Sequence, residues 1–227
     1  MAITLESATT EIISSENTSQ TVSFSHSGNL LVVALSSVFK TVAPNSVTWN
    51  GLAMSQEGGI TSPNEKSKSE LYTLYNPDQG THNLVIEGTD VFVGVVTLYS
   101  FSGANRNPIA DIQTQTGTTG QNPNLAVNSG NENFVIEVVS GDVGISTLTF
   151  GGGQTSRGNN LFATANCLGY GGGSSKVGAS TMSGTWDVAS TSWAHLAVSL
   201  RGVIPLKIGM NSRLVDNDFF QWIIKRR

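Results

Sequence analysis

Short apolar segments recur along the whole chain and are separated by Gly, Asn, Pro and Ser residues. Residues 21–26 (TVSFSH) alternate apolar with polar side chains, which predicts a strand with one face in water. Residues 28–37 (GNLLVVALSS) are almost continuously apolar, which predicts a strand that is covered on both faces. Roughly eight to ten such segments, spaced about 10 residues apart, predict an all-β sandwich.

Turn sequences between these segments support the same prediction. In residues 46–55 (SVTWNGLAMS), Asn50-Gly51 separates two strand segments, and Asn-Gly readily adopts the positive φ of a tight hairpin turn. Residues 69–76 (SELYTLYN) alternate with the period of a strand. Residues 76–80 (NPDQG) predict a turn because of the positions of Pro and Gly.

The second half of the chain repeats the pattern of the first half weakly. The halves, about 20–103 and 125–202, are each too exposed to fold alone, so we expect them to complete one sandwich domain over residues 1–203. Residues 204–227 then form a separate C-terminal tail. The similar blocks are 27–37 with 129–141, 46–54 with 147–154, and 93–103 with 192–202.

Composition and charge narrow the class of protein. Hydrophobic residues make up 38% of the 227 residues and charged residues only 12%, so neutral polar side chains must cover the surface. The single Cys167 excludes an intramolecular disulfide framework and a zinc site built from cysteines. Residues 1–200 hold 6 Lys and Arg against 14 Asp and Glu (net −8), whereas residues 201–227 hold 6 against 2 (net +4). An acidic body lacks the basic face that direct nucleic-acid binding needs.

The first residues and the longest apolar runs bear on the cellular location. Residues 1–12 have no cationic n-region and carry Glu6 and Glu11, which is unlike a secretory signal. The longest apolar runs have the length of a strand, so no membrane span is expected. The sequence predicts a protein that is made in a cytoplasm and does not bind a membrane.

Side chains that could carry catalysis are few and scattered. His26 and His82 flank turns and are expected at the surface, whereas His195 shares a strand face with apolar residues and is expected to be packed. Glu87 and Glu137 each stand alone in a strand, so the paired carboxylates of a glycosidase are missing and a solvent-facing or interface position is expected for both. No nucleophile-elbow, metalloprotease or phosphate-loop motif occurs. The sequence predicts no enzyme, no metal site and no cofactor.

A Gly-rich region at residues 151–178 offers an alternative kind of site. Its two three-Gly runs predict long loops at one end of the sandwich. An exposed aromatic side chain next to amides could bind a glycan there. The candidate residues are Arg157, Asn159, Asn160 and Tyr170.

The tail, residues 204–227, has apolar and basic residues that the sandwich sequence lacks. From Asp216 onward a short helix fits, with acids at its start and cations at its end, and an extended strand fits almost as well. Its apolar surface is too large to leave in water, so we expect it to pack on its own sandwich or on a neighbouring subunit. The residues expected to make this contact are Leu214, Val215, Phe219, Phe220, Trp222, Ile223, Ile224, Lys225, Arg226 and Arg227.

The order of the strand motifs resembles a known family of sandwiches. The resemblance is to the jelly-roll-like antiparallel β-sandwich of tailed-bacteriophage virion proteins, which also occurs in some bacterial surface proteins, and it covers about residues 20–202. It implies an all-β fold without catalytic residues, and this chain departs from it in the C-terminal extension. The motifs are LLVVALSS (30–37), VTWNGL (47–52), ELYTLYNP (70–77), GTHNLVI (80–86), LYSFSG (98–103), NFVIEVV (133–139) and WAHLAVSLR (193–201).

This resemblance leads to an expected function. We expect a structural protein of the virion, made in the host cytoplasm, that acts as a capsid decoration or cement protein and stabilises the shell through subunit contacts. Its expected partners are the major capsid protein or neighbouring virion subunits, and it is expected to form a homo-oligomer, with a trimer favoured. The alternative is a tail fibre or other receptor-binding component that recognises a host glycan.

Overall fold

The computed structural model describes residues 2–39, 44–142, 147–164, 167–187 and 192–203. Within these ranges all regular structure is β-strand, and every strand pair is antiparallel. The predicted class, an all-β antiparallel β-sandwich, is confirmed. The predicted C-terminal extension with its possible helix lies outside the described residues. The strands are β1 (Thr4–His26), β2 (Leu30–Phe39), β3 (Pro44–Trp49), β4 (Leu52–Ala53), β5 (Ser55–Thr61), β6 (Ser67–Tyr75), β7 (Gly80–Ser102), β8 (Ala104–Thr118), β9 (Asn124–Ala126), β10 (Phe134–Asp142), β11 (Leu148–Phe150), β12 (Thr155–Ala163), β13 (Leu168–Val177), β14 (Thr181–Trp186) and β15 (Ser192–Gly202).

The described strands form three sheets. The first sheet has the order β4-β3-β7-β2-β6-β5, and β1 also pairs with β7. The second sheet has the order β12-β13-β10-β15-β8, and the third has the order β11-β14-β9. The first half of the chain therefore builds the first sheet, and the second half builds the other two.

The long strands β1 and β7 form a ribbon that folds back on itself. They pair over nearly their whole lengths, and the register is interrupted between Ile13 and Ser19. β3 pairs with the N-terminal part of β7, whereas β2 pairs with its C-terminal part. Trp49 of β3 and Ile86 in the N-terminal part of β7 share a hydrophobic cluster with Val33 of β2, which pairs with the C-terminal part of β7. The first sheet thus supplies two layers that pack face to face.

β2 is buried on both faces, as its apolar sequence predicted. Leu31 and Val33 lie in the cluster inside the folded ribbon, whereas Leu30 and Val32 pack with side chains of β10 and β15. All four are fully buried. At about 1.5–3 kcal/mol for each aliphatic side chain, they contribute roughly 6–12 kcal/mol of gross hydrophobic stabilisation. β2 therefore joins the first half of the molecule to the second.

The Asn50-Gly51 turn that the sequence predicted is present. Asn50 has φ 48° and Gly51 has φ 77°, and Trp49 pairs with Leu52 across the turn. Positive φ at both central residues is the geometry of a tight two-residue hairpin, which Asn and Gly tolerate best. The turn connects β3 to β4.

The two halves of the chain share one strand order. The layer β5-β6-β2-β7-β1 of the first half corresponds to β12-β13-β10-β15-β8 of the second half. The outer layer β3-β7-β1 corresponds in the same way to β11-β14-β9. Because β1 and β7 each run through both layers, each of them corresponds to two separate strands in the second half. The predicted boundaries of the sandwich domain stay a prediction.

The prediction of long loops across residues 151–178 was wrong. β12 and β13 form a hairpin in this region, and the second three-Gly run lies inside β13. Close packing explains Gly158 and Gly171 better than a turn does. A Cβ at Gly158 would lie 2.9 Å from Val95, and a Cβ at Gly171 would lie 2.9 Å from the Ser36 hydroxyl. Glycine lets this hairpin lie directly against β1, β2 and β7.

Candidate interaction surface

A buried polar cluster surrounds Glu137 on β10. The carboxylate contacts His195 Nε2 at 2.8 Å and accepts a hydrogen bond from Gln154 Nε2 at 2.6 Å. The Ser174 hydroxyl also donates to Glu137, at 2.5 Å. Glu137 is 1% exposed and His195 is fully buried. The expected packing of His195 is confirmed, and the expected solvent-facing or interface position of Glu137 was wrong.

The geometry of this cluster does not suit nucleophilic catalysis. In a catalytic triad the imidazole lies between the hydroxyl and the carboxylate, so that it can take the hydroxyl proton. Here the Glu137 carboxylate lies between Ser174 and His195. The cluster also lies between two apolar clusters of the second half, which contain Val135 and Val139. Its role is to satisfy buried polar groups within the core.

A second buried carboxylate, Glu70, lies on β6. Lys68 Nζ approaches it at 2.7 Å, and Tyr72 and Gln56 each donate a hydrogen bond to it at 2.9 Å. Burial raises the pKa of Glu70 above its ordinary value, and the charge of Lys68 opposes that rise. The same burial raises the pKa of Tyr72. As with Glu137, the side chains that contact Glu70 belong to the same half of the chain as the carboxylate itself.

The remaining histidines and Glu87 are divided between the core and the surface. His26 is 2% exposed and packs edge-on against Trp49 with ring centroids 6.3 Å apart, so its expected surface position was wrong. Burial lowers the pKa of His26. His82 is half-buried and also packs edge-on against Trp49, with ring centroids 5.6 Å apart. Glu87 is exposed, as expected, and accepts a hydrogen bond from Ser46.

The residues predicted to bind a glycan do not form a loop site. Tyr170 is fully buried and packs edge-on against Trp186, with centroids 5.1 Å apart, so it cannot stack on a ligand from solvent. Arg157 and the two asparagines lie on β12. Arg157 Nε donates to Ser175, and Asn159 donates to the Leu148 carbonyl. Asn160 is half-buried in the same strand.

The predicted contact residues of the tail lie outside the described residues. The last described residue, Val203, donates its N–H to the carbonyl of Gly103. A Cβ at Gly103 would lie 2.9 Å from the carbonyl of Ala2. The chain therefore enters the tail beside the start of β1. The residues concerned are Leu214, Val215, Phe219, Phe220, Trp222, Ile223, Ile224, Lys225, Arg226 and Arg227.

β1 presents a long strand edge that pairs with no further described strand, although β12 packs against its middle, where the Thr10 hydroxyl donates to the Arg157 carbonyl. It runs for 23 residues, and within the described ranges it pairs only with β7. Its acidic side chains are Glu6, Glu11 and Glu16, and it contains no Lys or Arg. Ile12 on this strand is 53% exposed. An unpaired edge offers N–H and C=O groups to an added strand, so β1 is the strongest candidate interaction surface.

The sequence pattern predicted only a small part of this surface. It predicted a strand only at residues 21–26, whereas β1 begins at Thr4. The available signal was the density of β-branched residues in TTEII (9–13), which favours a strand. Polar residues at 14–20 obscured the continuation, because they interrupt the alternation of apolar and polar positions.

Comparisons of the chain with protein-family models, with curated proteins and with solved structures return no match. The resemblance to phage virion sandwiches therefore depends on the sequence motifs alone. Among the described residues, no His, Cys, Asp and Glu side chains are grouped in a way that could hold a metal ion. The same part of the chain forms no helix with the length and hydrophobicity needed to cross a membrane.

Proposed function

We propose that the protein is a non-enzymatic structural component of a bacteriophage virion, which binds the capsid shell as a decoration or cement protein. The observation that carries the proposal is the acidic strand β1, whose outer edge pairs with no described strand and which begins next to the start of the basic tail. The assignment to a virion depends on the sequence resemblance. The edge supports the more general part, a protein that acts through subunit contacts.

Charge complementarity favours contacts between copies of the chain. Residues 204–227 carry five Lys and Arg against two Asp, whereas β1 carries three Glu and no cation. At about 3.3 Å per residue, an extended tail would reach up to roughly 80 Å, which is enough to follow a neighbouring β1. Main-chain hydrogen bonds to a strand edge would provide affinity, and the aromatic tail residues would anchor the contact.

The surroundings of the two buried carboxylates support a protein that acts through subunit contacts and not through catalysis. Glu70 and Glu137 both bind partners inside their own half of the molecule. A stable sandwich with a free edge suits a protein that must bridge neighbouring subunits. Repeated over many copies, such contacts would oppose the outward pressure of packaged DNA.

The test measures the number of copies bound to expanded capsids after co-sedimentation. One variant deletes residues 204–227, and a second carries Glu6→Lys and Glu11→Lys on the exposed edge of β1. The matched control carries Glu65→Lys and Glu132→Lys, which make the same charge change at exposed positions away from β1. We expect at least roughly tenfold lower occupancy for the first two variants and unchanged occupancy for the control. A wild-type protein that does not bind capsids, or equal occupancy for all variants, would contradict the proposal.

A further inference from the structure

A surface pocket lies where the two halves of the chain meet. It has a volume of about 280 Å³ and is formed by β5 and β6 of the first half and β8 of the second half. The close approach depends on Gly58, since a Cβ there would lie 2.4 Å from Ile112 on β8. We call this cavity the seam pocket. It exists only when the two halves are packed together.

The seam pocket contains one carboxylate, that of Glu57, and one guanidinium, that of Arg106, among neutral polar groups. Glu57 lines it from β5 and accepts a hydrogen bond from the Thr73 hydroxyl, which fixes the carboxylate. Arg106 lines it from β8 and is exposed. Within the described part of the chain, Arg106 forms no ion pair with Glu57 or with any other carboxylate. Both groups therefore keep hydrogen-bonding capacity for a ligand.

An aromatic ring and an apolar wall complete the lining. Tyr75 is half-buried at the pocket, and Leu74, Pro108 and Ile109 supply apolar surface. Asn107 is exposed beside Arg106 and adds an amide that can donate and accept. Polar and apolar side chains line the pocket in comparable measure, a combination that can bind a ligand with both hydroxyl groups and a C–H face.

We propose that the seam pocket binds one ring of a neutral saccharide. Sugar hydroxyls can donate to Glu57 and accept from Arg106 at the same time, and the C–H face of the ring can pack on Tyr75. The Glu57 carboxylate offsets the attraction of Arg106 for phosphate and other anions. The volume of about 280 Å³ lies just below the usual range for ligand pockets, roughly 300–1,000 Å³. A pocket of this size suits a single ring or the end of a glycan. This proposal goes beyond capsid binding and does not depend on it.

The test is a titration of the ¹⁵N-labelled full chain with glucose, galactose, mannose and N-acetylglucosamine, followed by NMR chemical shifts. We expect saturable shifts for at least one of these sugars, centred on residues 55–57, 73–75 and 106–109. Arg106→Ala and Glu57→Gln should each weaken binding by about 10-fold or more, as expected for lost hydrogen bonds to a charged group. Tyr75→Ala should abolish binding, whereas Tyr75→Phe should retain it.

Control measurements separate a specific site from loss of folding. Lys66→Ala removes an exposed cation away from the pocket and should leave sugar binding unchanged. Dispersed spectra for every variant would show that the fold is intact. Absence of saturable shifts with all four sugars, or binding that survives both Arg106→Ala and Tyr75→Ala, would overturn the proposal. Tighter binding of glucose 6-phosphate than of glucose would overturn the assignment to neutral sugars. Capsid occupancy of Arg106→Ala should equal that of the wild type, because the seam pocket and β1 are different surfaces.

Discussion

The two halves of the chain have the same strand order but differ in the continuity of their longest strands. In the first half, β1 and β7 each run for 23 residues through both layers. In the second half, the strands equivalent to β1 are β8, with 15 residues, and β9, with 3. Among the described strands, the continuous β1 gives the first half one long edge without strand pairing, whereas the edges of the second half are shorter. The same topology therefore leaves a long strand edge in the described part of one half and only shorter edges in the other.

The partners of the buried carboxylates also differ in exposure between the two halves. Glu137 in the second half contacts His195, and both side chains have no exposed surface. Glu70 in the first half contacts Lys68, whose side chain is 19% exposed. A partner that reaches water can be lost more cheaply than one that is sealed in the core. This contrast gives the first prediction.

His195→Leu should have the largest effect on stability. Removing one partner of a buried pair leaves the Glu137 carboxylate poorly compensated and should cost about 3–5 kcal/mol of unfolding free energy in urea. Lys68→Leu in the first half should cost less, about 1–3 kcal/mol, because the vacated position reaches water that can hydrate the Glu70 carboxylate. The double variant Glu137→Leu/His195→Leu should recover part of the loss, since no buried charge remains. Equal losses for His195→Leu and Lys68→Leu would remove the contrast between the halves.

Gly158→Val should have an intermediate effect. The added side chain would overlap Val95 and Thr10, which lie 2.9 and 3.1 Å from the position of a Cβ. We expect a loss of about 1–3 kcal/mol, measured by urea unfolding. Gly152→Val is the matched control, because nothing lies within 4 Å of a Cβ there. If both variants are equally stable, close packing does not explain the glycines of the second half.

Glu70→Gln should have the smallest effect, which appears as a change in pH dependence. Because the pKa of Glu70 is raised in the folded state, the folded protein holds its proton when the unfolded chain has lost it. Stability at this site therefore falls as pH rises from about 4.5 through the raised pKa. The glutamine keeps the contacts with Tyr72 and Gln56 without the charge.

The measurement is the difference in unfolding free energy between wild type and Glu70→Gln across this pH range. The difference should move in favour of the variant as pH rises. A difference that does not change with pH would show that Glu70 titrates normally in the folded protein.

The sequence predicted the fold class because a strand that is covered on both faces, such as β2, is almost continuously apolar. It predicted the turn at Asn50-Gly51 because few residues tolerate positive φ. It did not predict the strand at Gly171, because a glycine run in a loop and a glycine run packed against a neighbouring strand have the same sequence. It failed at Glu137 because the partners of that carboxylate, Ser174 and His195, are distant in the chain. The seam pocket was unpredictable for the same reason.

Hydrogen exchange of β1 in the free and particle-bound protein tests the central claim most directly. The claim is that the free edge of β1 is the contact surface of the protein. Amides of residues 4–26 that point away from β7 should exchange at least roughly tenfold more slowly in the bound state, because an added strand would protect them. Unchanged exchange across residues 4–26, together with protection on β5 or β8, would contradict the claim.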